Sequence, residues 1–236
     1  LGIAASAAML VDFKNFSVQQ IKDQWFKDRF GSSSKLTQQV YQTYFESFEV
    51  NDKTGTPILM DGQINGSAAG ILSELKWQLT DSVQYQALLK KKNQETDESK
   101  WIKSAIGDML SGNLTNKELL QRVIRQKNAL LKAENLAQQI ENDEFFLTDF
   151  MAHLKIMLGL TTWLENCLQA KMAADEKNLT ETKIHLQKAL ECFSIIREGQ
   201  RLKSQGEKWQ NWYRGEKKMN LLSKEKLTKA VLEILK

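Results

Sequence analysis

Proline is nearly absent from this chain. Pro57 is the single one among 236 residues, and glycine contributes only 12. Both residues interrupt helices, proline by removing a backbone donor and clashing with the preceding turn, glycine by its backbone freedom. Their scarcity leaves few places where a helix must stop. Strand-type runs of valine, isoleucine, threonine and aromatics are also nearly missing. Ala, Leu, Lys, Gln and Glu dominate what is left, and all are good helix formers. The expected fold class is all-α.

Other absences narrow the chemistry. The two cysteines and two histidines are too few for a disulfide framework or a complete metal site. Cys167 and Cys192 stand almost equally far from a turn expected at Asn178–Thr180, so an antiparallel hairpin would place them at one height. The expectation is two buried free thiols, with a bridge as the alternative in an oxidising compartment. His153 and His185 follow Asp149 and Glu181 by four residues, which suits a local ion pair rather than a ligand set. A zincin helix, a Gly-rich phosphate loop and a nucleophile elbow are all lacking. No catalytic constellation, metal or cofactor is expected in this chain.

No stretch reaches the ~18–20 apolar residues that would span a bilayer. The opening Leu1–Leu10 (LGIAASAAML) is apolar but has no basic leader region. It is read as the continuation of something upstream, making this chain a single helical domain of residues 1–236 within a longer protein. A subdivision at 1–112 and 113–236 is conceivable.

Periodicity places seven to eight helices in an up-and-down bundle. A buried helix is expected within Ile3–Asp12. Ser17-Val18-Gln19-Gln20 reads as a capping box opening a helix that turns Val18, Ile21, Trp25 and Phe26 inward and stops at Phe30-Gly31. Leu36, Val40, Tyr44 and Phe48 make the stripe of a helix over Ser33–Val50. Residues 51–66, with Pro57 and three glycines, read as a long loop. One helix is then expected over Ser67–Lys92, its stripe being Ile71, Leu75, Leu79, Val83 and Ala87. A short one follows at Trp101–Leu110. A second capping box at Thr115–Glu118 opens the first of three long antiparallel helices, reaching Asn142, then Phe145–Lys177, then Thr180 to about Ser204. A last amphipathic helix covers Ser223–Leu235.

The remaining signals are modest. The net charge of +4 is uneven, with 11 Lys/Arg against 5 Asp/Glu between Arg197 and Lys236. That segment could meet an anionic polymer or simply be a solvated helix face. Among carboxylates, Asp61 in the loop and Asp143 with Glu144 are the least explained by helix needs. Gly206–Gly215 concentrates Trp209, Trp212, Tyr213 and Arg214. Such rings beside polar groups can pin a crossover onto the bundle, contact carbohydrate or another domain, or stack on bases. No nucleic-acid partner is expected.

The Trp helix ending in Phe-Gly (Ser17–Gly31, SVQQIKDQWFKDRFG), followed by Tyr41 and Tyr44, resembles the segment after the catalytic barrel of large α-glucuronidase-type glycoside hydrolases. The Gly206…Trp209…Trp212 stretch is similar to the close of the helical region in family 115 glycoside hydrolases, which act on glucuronic-acid-decorated xylan. The segment after Tyr44 (FESFEVNDKTGTPILMDG) departs from that family by lacking its Arg/Lys-Pro-Glu-like run. The resemblance implies a non-catalytic accessory bundle of a secreted or periplasmic polysaccharide-degrading enzyme. Its partners would be an upstream catalytic domain and a polysaccharide, contacted through Trp209, Trp212, Tyr213, Arg214 or Asp61. The alternative is an independent helical module that binds a protein or anionic polymer through its basic C-terminal segment.

Overall fold

A computed structural model describes residues 17–48, 61–94, 115–140, 144–204 and 221–236. Among these residues there are eight α-helices: α1 Val18–Phe30, α2 Ser34–Glu46, α3 Asp61–Leu79, α4 Val83–Gln94, α5 Asn116–Ala137, α6 Glu144–Asp175, α7 Leu179–Ser204 and α8 Leu221–Glu233. A 3-10 turn, Gly31–Ser33, joins α1 to α2, and no strand occurs among the described residues. The chain is an all-α helical bundle. The helices expected within Ile3–Asp12 and over Trp101–Leu110 lie outside the described residues.

Helix ends follow local chemistry. Ser17 Oγ accepts the Gln20 amide at 3.3 Å and caps α1. Gly31 ends the helix at φ +53°, its N–H returning to the Lys27 carbonyl, a conformation that a side chain would strain. Before α5 the capping box is complete. Thr115 Oγ1 accepts the Glu118 amide at 3.2 Å while the Glu118 carboxylate accepts the Thr115 amide at 2.7 Å.

Helix α6 is the centre of the bundle, and its composition explains why. Leu154, Met157, Leu160, Trp163, Leu164, Cys167 and Leu168 are all buried and point to several sides of the helix, which suits an element surrounded by others. Lys127–Glu165 at 2.5 Å and Glu134–Lys155 at 3.9 Å fix α5 antiparallel to α6. Glu74–Lys171 at 3.3 Å and Gln78–Asp175 at 3.1 Å advance together, so α3 runs parallel to α6. Helix α7 returns along α6 after a turn in which Lys177 takes φ +61°. Gly159 faces Ile196 and Gly199 faces Ala152 and Ile156 along this seam. Helix α8 packs on α7 and α3, and reaches α6 through the hydrogen bond that Trp163 Nε1 donates to Thr228 Oγ1 at 3.3 Å, while Arg197 of α7 pairs with Glu225.

Three expectations change. Residues 61–66 belong to α3 rather than to the long loop, so Asp61 is the first helical residue and Gly62 and Gly66 lie within the helix. The expected helix over Ser67–Lys92 is two helices, because the chain turns at Asp81 with φ +44°. Its stripe holds at Ile71, Leu75 and Leu79, which pack on the core, and fails beyond the turn. Ile64, Ala68, Leu72 and Leu75 are buried, whereas Val83 is 82% exposed. In α1 the core residue is Phe26, and Val18 is exposed rather than inward.

Candidate functional site

The turn at Gly31 folds α1 back beside α2 and gathers their aromatic residues. Phe26 and Tyr41 stand 5.6 Å apart edge to face, joining the two helices. Trp25 packs edge-on against Phe26 at 5.0 Å. Tyr41 and Phe45, one helical turn apart, lie nearly parallel with centroids 6.1 Å apart. Inward, Tyr44 meets Phe48, Phe150 and His153 at 5.1, 5.4 and 5.7 Å, tying α2 to the beginning of α6. Edge-to-face pairs of this kind add roughly 0.5–1.5 kcal/mol each beyond burial.

Between α1 and α2 these rings leave an open groove of about 640 Å³. Trp25, Phe26, Tyr41 and Phe45 form its apolar surface, and Lys22, Gln38, Gln42 and Glu46 form its rim. Phe45 remains 63% exposed. Gln42 Nε2 donates to Glu46 Oε1 at 2.7 Å, which orders one edge. Such a surface can bind apolar or ring-shaped groups.

Of the residues singled out in the sequence, Trp209, Trp212, Tyr213 and Arg214 lie outside the described residues, as does Asp143. Asp61 opens α3, which removes the loop setting that had drawn attention to it. Of the groove residues, periodicity places Trp25 and Phe26 inward, and Tyr41 enters only with the family resemblance. Phe45, one place off the Leu36–Val40–Tyr44–Phe48 stripe, was the signal available.

The titratable groups elsewhere serve the packing. His185 Nε2 lies 3.7 Å from Glu181 Oε2. Burial lowers its pKa, Lys188 adding to the effect and Glu181 opposing it. Cys167 and Cys192 are both free and buried. Burial raises the Cys167 thiol well above its ordinary value, and pushes Cys192 up to about 12. Such thiols are unreactive. Among the described residues no group of three or more His, Cys, Asp or Glu could hold a metal ion, and no helix is long and apolar enough to cross a membrane.

The basic C-terminal region is partly neutralised. Arg197 and Lys229 both pair with Glu225, and Arg201 pairs with Glu198 at 2.9 Å. Comparison with known proteins adds no relative, since no family model, curated protein or solved structure matches this chain.

Proposed function

We propose that this chain is a non-catalytic helical accessory domain of a polysaccharide-degrading glycoside hydrolase. In this reading it supports an upstream catalytic barrel of the same secreted or periplasmic protein and contributes to carbohydrate contact. The observation that carries it is local. The stretch resembling the post-barrel segment of family 115 enzymes, Ser17–Gly31 with Tyr41 and Tyr44, builds one aromatic unit on α1 and α2. The Trp helix, its Phe-Gly stop and both tyrosines all take part in it.

The test is to read the polypeptide upstream of Leu1 and assay the whole protein on glucuronic-acid-decorated xylan. A barrel domain upstream and release of uronic acid are expected. A different upstream domain, or none, overturns the proposal. The alternative, an independent module binding an anionic polymer through Arg197–Lys236, draws on fewer available cations because Arg197, Arg201 and Lys229 already hold carboxylates.

A further inference from the structure

We infer that the α1–α2 groove is filled by this chain's own segment Ile3–Asp12, packed along α1 as a further helix. The groove presents Trp25, Tyr41 and Phe45 on one surface, and Phe45 is more than half exposed although large and apolar. Rings gathered in this way differ from single scattered hydrophobes, and mark a surface that something covers. Among the described residues, nothing does. The segment has the converse need. Of the ten residues Leu1–Leu10, eight are apolar and none is charged, so leaving them in water is unfavourable.

Reach and shape both suit the pairing. The groove is walled by Lys22, Trp25 and Phe26 of α1, which stand about 6 to 12 Å along the helix from Val18. Phe13–Phe16 leaves four residues between the segment and Ser17, the cap of α1. Connections between neighbouring antiparallel helices in bundles run to about 2–8 residues. A ten-residue helix is about 15 Å long, close to the length of the wall. Wound as a helix, Ile3, Ala7 and Leu10 fall on one face with Ala4, Ala8 and Val11 beside them. Small methyl groups facing large rings let the two surfaces interdigitate.

Residues 49–60 also flank the groove, at the end of α2, but suit it less. Glu49, Asp52 and Lys53 are charged, and the apolar run Ile58–Met60 adjoins Asp61, the first residue of α3. Ile64, three residues further, is buried in the main core, so that run is already tied to another part of the bundle.

The experiment uses the whole chain, with the photoreactive analogue benzoylphenylalanine at position 45, an exposed site whose change spares the core. After irradiation and trypsin, position 45 is expected to be joined to the peptide that ends at Lys14. Adding Leu10→Asp should reduce that adduct about tenfold or more, because burial of one leucine shifts a docking equilibrium by at least that factor. Leu59→Asp should leave it unchanged. The analogue is larger than phenylalanine, so a second measurement keeps Phe45. Gln42→Cys places a thiol on the rim, and Gln187→Cys places a reference thiol on the exposed side of α7. Leu10→Asp should raise maleimide labelling at position 42 severalfold relative to position 187. An adduct on the Thr54–Lys76 peptide, on a second chain or on no peptide overturns the inference. So does an adduct, or a labelling rate at position 42, that Leu10→Asp leaves unchanged.

Discussion

Replacing Gly199 by alanine adds one methyl group where the backbones of α6 and α7 come close together. In an isolated helix the change would be favourable by about 1 kcal/mol. Here the new Cβ would lie 2.6 Å from the Ala152 carbonyl oxygen, 2.8 Å from Ile156 Cγ1 and 3.0 Å from the Ile156 amide nitrogen. Two of those three atoms are backbone, so no rotamer change relieves the clash, and the helices must part by most of an ångström. Overpacking of a dense core costs roughly 1–3 kcal/mol, occasionally more. The seam also carries the core on either side, so separation loosens the neighbouring contacts as well. A net loss of about 2 kcal/mol is expected, or a fall of roughly 4–8 °C in Tm for a chain of this size. Gly70→Ala is the matched control. Gly70 is exposed inside α3 and nothing lies within 4 Å of its would-be Cβ. That variant should gain up to about 1 kcal/mol. Thermal and urea denaturation of both variants measure the difference. If Gly199→Ala proves as stable as Gly70→Ala, the close approach of α6 and α7 is wrong.

Thr115→Ala removes the cap of α5 and should cost about 1 kcal/mol, read as a lower urea midpoint with an unchanged slope. Glu225 is desolvated, which raises its pKa, but bonds from Lys229 and Arg197 outweigh this and the net shift is downward. A carboxylate lowered on folding contributes stability above its unfolded pKa, and that contribution is lost as pH falls through the folded value. Stability measured from pH 7 down to pH 3 should therefore fall less steeply in Glu225→Gln than in the unsubstituted protein, and parallel curves would refute the pairing. Both thiols should resist alkylation at pH 8 in the native protein, and both should react once it is denatured. Rapid native labelling would contradict the burial, and absence of free thiols after denaturation would mean that they are bridged.

Where the chain stops a helix was legible when one residue type carried the signal. Ser17, Gly31 and Thr115 each act through their own backbone or side chain, so the positions of these ends follow from covalent chemistry. Repeats of apolar residues were a weaker guide. They identified Val40, Tyr44 and Phe48 as buried, but carried the α3 stripe past Leu79 because Ser67–Lys92 contains nothing that forbids a helix. The left-handed turn at Asp81 depends on what surrounds it, and no local residue type demands it. The groove was less visible still. Trp25 looks like a core residue by periodicity, Phe45 falls one place off the stripe, and only the placement of α1 against α2 brings the two to one surface.

The sequence alone determined the helical class and most helix limits, because each depends on residue type and near neighbours. Tertiary structure decided that α6 is the central helix, with α5 and α7 antiparallel and α3 parallel to it. It also decided which aromatics are covered and which line the groove. The reason is physical. Helix formation is set by contacts three or four residues apart, whereas direction and exposure depend on pairs such as Glu74 with Lys171 and Phe26 with Tyr41, which meet only after the chain has folded.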